Sequence, residues 1–363
     1  MTVETAFHER PGISEARSQY YGRLAEKSAR PLWEVLSSLV TPVPRDRTSA
    51  AIWRYREMRP LISEGARLIT PEEAERRVLI LENPGLPGTS QITQTLYAGL
   101  QMIAPGEIAP SHRHVASALR YVMEGEGAYT AVNGERATMR PGDFILTPSW
   151  QWHDHGNPGG SEVVWLDGLD IPIANFFCTS FAQHHPQTTQ PVDHRPGDAL
   201  HRFGMGLLPL EYKLDGMSAP VFVYPFERSQ GALRHLLRSG HHNLWHGVKL
   251  QYSNPATGGS PMPTISAFLQ LLPAGFQGKS YRSTDATVFC ATSGRGRTFA
   301  GDTELAWETN DVFVAPSWQP VRHEAEEESI LFSFSDRVAQ KALGIWREEY
   351  LEADQEPVQA TNV

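Results

Sequence analysis

Over roughly the first seventy residues, apolar positions recur at helical spacing. Ser14 can cap a segment running to about Ala29. Pro31, whose fixed φ suits a first helical position, can open a second helix with Leu32, Trp33, Leu36, Leu39 and Val40 on one face. From about Arg76 to Leu169 the pattern changes to short strands and turns. Ala128–Val132 and Ala137–Met139 flank Asn133-Gly134, a pair that accepts the positive φ of a tight hairpin turn. Pro141-Gly142-Asp143 is a second turn, leading into a strand over Phe144–Thr147. Residues 176–255 are the least regular and read as a long connector with short elements. Strands return over 264–336. Asp336 can then cap a last helix with Ala342, Leu343, Trp346 and Tyr350 on one side, before a polar tail expected to fray.

The strand-rich segments are two copies of one unit. LQMIAPGEIAPSHRH starts at Leu100 and LQLLPAGFQGKSYRS at Leu269. At that offset of 169, Gly106 meets Gly275, and Gly125-x-Gly127 meets Gly294-x-Gly296. At 168, Asp143 meets Asp311 and Pro148-Ser149-Trp150 meets Pro316-Ser317-Trp318. Repetition of turn residues over this length indicates a duplicated β-domain. The expected organisation is a helical arm over 1–75, β-domains over 76–175 and 256–336, a connector over 176–255, and a C-terminal helix and tail over 337–363.

Composition narrows the classes. A chain of 363 residues with 40% apolar content is long enough for about two domains with substantial cores. A net charge of −9 argues against a nucleic-acid partner. Cys178 and Cys290 are the only cysteines, so no thiol metal motif exists and a reducing cytoplasm is expected. The N-terminal stretch has no signal-peptide core, and no apolar run is long enough for a membrane helix.

The first copy carries His112-Arg113-His114. On a strand, residues two apart share a face, so both imidazoles point the same way. His153 follows the Pro-Gly-Asp turn and can return on a neighbouring strand. Three imidazoles suit iron, zinc, copper or nickel and leave positions open for other ligands. An HxH pair alone is weak, but the second copy is an internal control. It has Tyr281, Ser283 and Val321 at the three places, so the fold does not need histidines there. The metal is therefore expected on His112, His114 and His153, with the second copy metal-free. Arg120 lies six residues beyond His114, which on shared parity turns it to the same cavity. His155 shares the face of His153, although His323 in the second copy allows a structural reason for it.

Gly106-x5-His112-x-His114 and Pro141-Gly142-Asp143…Pro148…His153 resemble the two motifs of the cupin superfamily, and two copies resemble a bicupin. The glutamate usual four or five residues after the second histidine is missing; Ala118 and Leu119 stand there. The strings APSHRHVASALRYVMEGEGAYTAVNGE, MRPGDFILTPSWQWHDHGN and WLDGLDIP, with ENPGL and LYAGLQ, resemble the gentisate 1,2-dioxygenase family, over roughly residues 15–350. That family includes salicylate and 1-hydroxy-2-naphthoate enzymes.

The resemblance implies a mainly β fold, two jelly-roll β-barrels with N-terminal and C-terminal helices. It implies one Fe(II) per chain and cleavage of gentisate (2,5-dihydroxybenzoate) by dioxygen to maleylpyruvate, in aromatic compound catabolism. Salicylate, a substituted salicylate or 1-hydroxy-2-naphthoate is the alternative substrate. The matching positions imply substrate-binding roles for Arg120, Arg76, Gln101 and Tyr97, and catalytic roles for His155 and Asp167. Asp170 is read as structural, and His184-His185 and His241-His242 as surface or interface residues. A cytoplasmic homotetramer is expected, with a small aromatic hydroxy acid and dioxygen as its partners and no membrane.

Overall fold

The computed structural model of the chain describes residues 14–213 and 216–351; the polar tail expected to fray lies outside them. Residues 14–45 form a unit of their own. Its helix Glu15–Glu26 starts where the sequence places it, with the Ser14 hydroxyl accepting from the Arg17 amide. The helix expected after Pro31 is instead a 3₁₀ turn, Leu32–Glu34, and a four-residue helix, Leu36–Leu39. Leu32, Trp33, Leu36, Leu39 and Val40 are exposed, so no core packing rewards a longer helix.

From Asp46 onward the chain builds two jelly-roll barrels, each of one six-stranded and one five-stranded sheet. In the first barrel the larger sheet runs Val223–Tyr224, Phe144–Thr147, Ala118–Glu124, Val163–Leu169, Tyr97–Ile103, Val78–Ile80. The smaller runs Ala182–His184, Ile108–His114, His153–Gly156, Tyr129–Val132, Glu135–Thr138. The second barrel repeats this order with strands from Ala51–Trp53 to Glu348–Tyr350. The hairpin at Asn133-Gly134 forms as its sequence predicts, with φ of 46° and 83°.

The duplication extends further upstream than the sequence reading took it, and the copies exchange strands. Ala51–Trp53 pairs with Val312–Ala315 of the second barrel, while Val223–Tyr224 pairs with Phe144–Thr147 of the first. Each exchanged strand leads into a helix, Tyr55–Leu68 or Phe226–Arg238. The amide of each helix's first residue donates to the repeated turn aspartate: Tyr55 to Asp311 at 2.8 Å, Phe226 to Asp143 at 2.9 Å. An anionic acceptor at a helix start satisfies an amide the helix leaves open and suits its dipole. The expected helical arm over 1–75 is thus split, since residues 46–75 are built into the barrels.

The expected connector is likewise more structured. Ala182–His184 adds to the histidine strand, and Val248–Gln251 pairs with Ser266–Leu272. The final helix ends at Ala342; Trp346 lies beyond it and donates to Asp285, and Tyr350 is on a strand.

The two larger sheets face each other, and the main core lies between the barrels. Tyr121 stacks on Phe332 with centroids 4.0 Å apart. Such a pair adds about 0.5–1.5 kcal/mol beyond its burial. Inside the second barrel Phe289, Phe313, Trp307 and Tyr281 make a filled core. The first barrel's apolar interior is smaller, with Trp165 its one aromatic side chain among the fully packed residues. Gly142 fixes the turn before Phe144: its φ is +85°, and a Cβ would lie 2.4 Å from the Phe226 ring. Gly142→Ala is expected to destabilise the protein by about 2 kcal/mol or more, combining left-handed strain with overpacking. The fall of the thermal midpoint measures it.

Candidate active site

The histidine strand Ile108–His114 pairs with His153–Gly156, and His112 faces His153 in register. In the second barrel Tyr281 faces Val321, so the repeat alignment is structurally correct. Ring centroids of His112, His114 and His153 lie 4.3–5.2 Å apart, and one ligand atom from each falls within 4.8 Å of the others. Arg113, of opposite parity, turns outward between the rings of Trp150 and Trp152 and donates to Gln183 on the added strand.

The imidazoles are prepared as metal ligands. Each Nδ1 faces a backbone carbonyl: His112 with Pro110 at 3.3 Å, His114 with Ala116 at 2.7 Å, His153 with Gln151 at 3.0 Å. A carbonyl accepts only, so in His114 and His153 Nδ1 carries the proton and the Nε2 lone pair remains for a metal; at His112 the Arg76 guanidinium, a donor only, competes with the Pro110 carbonyl for the same Nδ1. His153 Nε2 is buried without a hydrogen-bond partner. Burial pulls the pKa of His112 to about 3 and of His114 to about 4, and that of His153 far below its ordinary value. The neutral form a metal requires is therefore the stable one. Among the described residues no acidic side chain joins the three, in keeping with Ala118 and Leu119 where cupins usually carry glutamate. The donor set fits a borderline divalent ion such as Fe(II).

Arg120 reaches this interior by a route other than shared parity. The histidine strand ends at His114, and Arg120 lies on Ala118–Glu124 in the opposite sheet. Its Nη1 donates to Thr147 Oγ1 at 2.6 Å, and its Nε lies 3.6 Å from Asp167 Oδ1 without a hydrogen bond. Asp167, directly across the strand pair, also accepts from Trp165 Nε1 at 3.0 Å. Burial pushes Asp167 up to about 6, against the pull of Arg120 and the Trp165 hydrogen bond. Arg76 donates to Pro110 O and abuts His112 Nδ1. Burial and the nearby Arg120 cation lower its pKa to about 10. Tyr97 and Gln101 lie on the strand facing Asp167 and Trp165; burial and the Asp167 charge raise the Tyr97 phenol.

His155 is buried, with Nδ1 3.0 Å from Thr130 Oγ1. His323 and Thr298 make the same contact at 2.8 Å in the second barrel. That pair is thus a feature of both barrels. Asp170 caps the opposite end of its strand, accepting from the Ser117 amide and from Thr264. His184 lies on the added strand and His185 against Trp152; His241 and His242 are exposed. None of the four joins the metal cluster found among the described residues.

Thr147 and Trp165 were not picked out in the sequence reading. The repeat carried a signal for the first: Arg120 aligns with Phe289, and Thr147 with Ala315. A cation and its hydroxyl partner are replaced together by apolar residues. Trp165 is two residues before Asp167 on one strand, hence on the same face.

Two jelly-roll barrels, one with three inward imidazoles on paired strands, define a bicupin with one metal-competent barrel. A family model described as a cupin domain matches residues 99–169. The chain is 49% identical to gentisate 1,2 dioxygenase 1 of Aquipseudomonas alcaligenes, over 94% of this chain and 99% of the relative. It is 34% identical to 5-aminosalicylate 1,2-dioxygenase of a Comamonas species, over 90% and 88%. A crystal structure of salicylate 1,2-dioxygenase from Pseudoaminobacter salicylatoxidans, in its adducts with gentisate, superposes with a TM-score of 0.88 at 31% identity, covering 98% of this chain and 99% of that one. The chain belongs to the gentisate 1,2-dioxygenase family.

Proposed function

We propose that the chain is an iron(II)-dependent dioxygenase that opens the ring of gentisate between its carboxyl-bearing and neighbouring hydroxyl-bearing carbons, giving maleylpyruvate. The carrying observation is the first barrel's pairing of three neutral imidazoles with buried arginines, in a chain 49% identical along its length to a gentisate 1,2-dioxygenase. When bound, the metal supplies the redox chemistry through which dioxygen reacts with an aromatic ring.

The chain's own residues do the rest. Arg120 takes the substrate carboxylate with its planar fork, and Arg76 adds positive charge beside it. Thr147 and Asp167 hold Arg120 from two sides, so the guanidinium is oriented before substrate arrives. Tyr97 and Gln101 form the wall against the ring. Asp167, pushed up to about 6 by burial, is the group suited to receive a hydroxyl proton, with His155 beside the cluster as the second candidate. The enclosing barrel keeps bulk water from the reacting ring.

Oxygen uptake by the iron-loaded protein with gentisate, salicylate, 5-aminosalicylate and 1-hydroxy-2-naphthoate tests the reading. Fastest turnover with gentisate, maleylpyruvate as product and one iron per chain are expected; no uptake with gentisate would sink it.

The pH profile tests Asp167. Above its pKa the ionised carboxylate steadies Arg120; below it, protonation removes that charge. kcat/KM is therefore expected to fall as pH drops through about 6, or lower once a dication is resident. Asp167→Asn should flatten this limb.

We also propose a homo-oligomer, a tetramer by family. Exposed Phe176, Phe177, Leu207 and Leu210 on the connector support it. Light scattering should give a mass well above 40.4 kDa, and a monomer at micromolar concentration would refute it. Among the described residues no helix is long and apolar enough to cross a membrane.

A further inference from the structure

The second barrel has lost its metal ligands but not its polar interior. Lys249, on the strand Val248–Gln251, directs its ammonium into the barrel. Its Nζ lies 5.0 Å from the ring centroid of Phe268 and 5.9 Å from those of Tyr281 and Phe289. Tyr281 and Phe289 occupy the places of His112 and Arg120. A basic side chain therefore stands close to where the first barrel gathers its metal ligands. Lys249 and His246 are partly exposed.

Four polar atoms around it are buried without hydrogen-bond partners: Gln270 Oε1, Ser333 Oγ, His323 Nε2 and His246 Nδ1. Gln270 pairs in register with Lys249, and Ser333 lies across from both Phe268 and Phe289. His323 packs against Phe289 at 5.1 Å, and His246 against Tyr281 at 4.3 Å. Gln270, Ser333 and His323 have no solvent exposure. The tautomer of His323 follows from its neighbours. Trp307 Nε1 donates to Thr298 Oγ1, which lies 2.8 Å from His323 Nδ1. A hydroxyl already accepting from an indole has its own proton to give, so Nδ1 accepts and the buried Nε2 carries an N–H without an acceptor. Burial, with Lys249 nearby, keeps this imidazole neutral.

The buried carboxylate of Asp285 is already taken by Arg337 Nε at 3.1 Å, Ser335 Oγ at 2.6 Å and Trp346 Nε1 at 2.8 Å. Glu348 is exposed on its rim strand. Burial and the nearby Arg337 cation pull the Lys249 pKa down to about 7, with Asp285 and Glu348 opposing, so the ammonium form of Lys249 faces a carboxylate whose hydrogen bonds are already taken and gains from an anion brought beside it. Donors withdrawn from water without acceptors are costly, and an unpaired ammonium more so.

We propose that the second barrel binds a small monovalent anion, of halide or formate size, between the Lys249 ammonium, the His323 Nε2–H and the Ser333 hydroxyl. Gln270 Oε1 then accepts from a remaining ammonium proton. Phe268, Phe289, Phe313 and Trp307 fill the rest of the barrel, so an aromatic acid does not fit and this is not a second active site. The anion serves as the counter-ion of the metal-free barrel.

Crystals of the iron-loaded protein soaked in bromide should show an anomalous peak within contact distance of Lys249 Nζ and His323 Nε2. In solution, chloride or formate should raise the thermal midpoint of the holoenzyme by about 2 °C or more over gluconate at equal ionic strength. The arm that shifts more identifies the preferred anion. Lys249→Met should lose the response while keeping iron content and kcat. Only water at the site in the bromide-soaked crystal, or an undiminished response in Lys249→Met, overturns the proposal. If that variant does not fold, the wild-type bromide map decides alone, and Ser333→Ala should weaken anion affinity by about tenfold, the loss of one charge-assisted hydrogen bond.

Discussion

Alanine in place of His112, His114 or His153 is expected to abolish iron retention and to lower kcat/KM by at least about a thousandfold. Each substitution leaves two imidazoles, and among the described residues no carboxylate stands within the cluster to replace the third. The metal's contribution to such a reaction is worth several kcal/mol, and about 4 kcal/mol is three decades. The second barrel supplies the folding control. It closes with Tyr281, Ser283 and Val321 at the same three places, so the architecture tolerates their absence. Thermal midpoints of the metal-free variants should accordingly stay near that of the metal-free wild type. Metal analysis after gel filtration, paired with oxygen uptake, measures the effect. Stoichiometric iron with normal turnover in any of the three variants would refute the ligand assignment.

The same duplication explains what could be read from the chain. Turn residues and ligands are read at single positions, so Asn133-Gly134, the Pro-Gly-Asp turn and the histidines stood out without any coordinates. Edge strands of two to four residues carry too little period to be read. Ala51–Trp53, Ala182–His184 and Val223–Tyr224 therefore passed as arm and connector, although each completes a sheet. The upstream part of the repeat was hidden for a related reason. Trp53 corresponds to Tyr224, Tyr55 to Phe226 and Ile62 to Leu233: matching in burial chemistry, not in identity. The segment after Asp336 misled through its helical spacing, because Gly344, at φ +73°, stops the helix and Tyr350 goes to a sheet edge. At the site, Arg120 was placed in the cavity by a parity that does not cross the turn at 115–117. It is there because two sheets of a barrel face one interior.

Arg120→Ala is expected to lower kcat/KM for gentisate by at least about tenfold with iron content unchanged. Arg120 is 3% exposed, and among the described residues only Thr147 takes one of its N–H groups as a hydrogen bond. Asp167 lies 3.6 Å from Nε, close enough to orient it by charge but leaving that donor unbonded. The fork thus retains donors for a carboxylate that has left water. Charge-assisted bonds of this kind contribute about 1.5–3 kcal/mol each, and 1.4 kcal/mol is one decade. Arg120→Lys keeps the charge but has no fork to span Thr147, Asp167 and the substrate together, so it should rescue only in part. Thr147→Val removes the hydroxyl at similar volume and should raise KM more than it lowers kcat, since the guanidinium keeps its charge and loses its aim. A further consequence separates a site role from a packing role. Without the arginine, Asp167 loses the largest influence opposing its protonation, so the acidic limb of the pH profile should move upward. Near-wild-type kcat/KM in the alanine variant would remove Arg120 from the site. Loss of iron would reassign it to supporting the metal ligands.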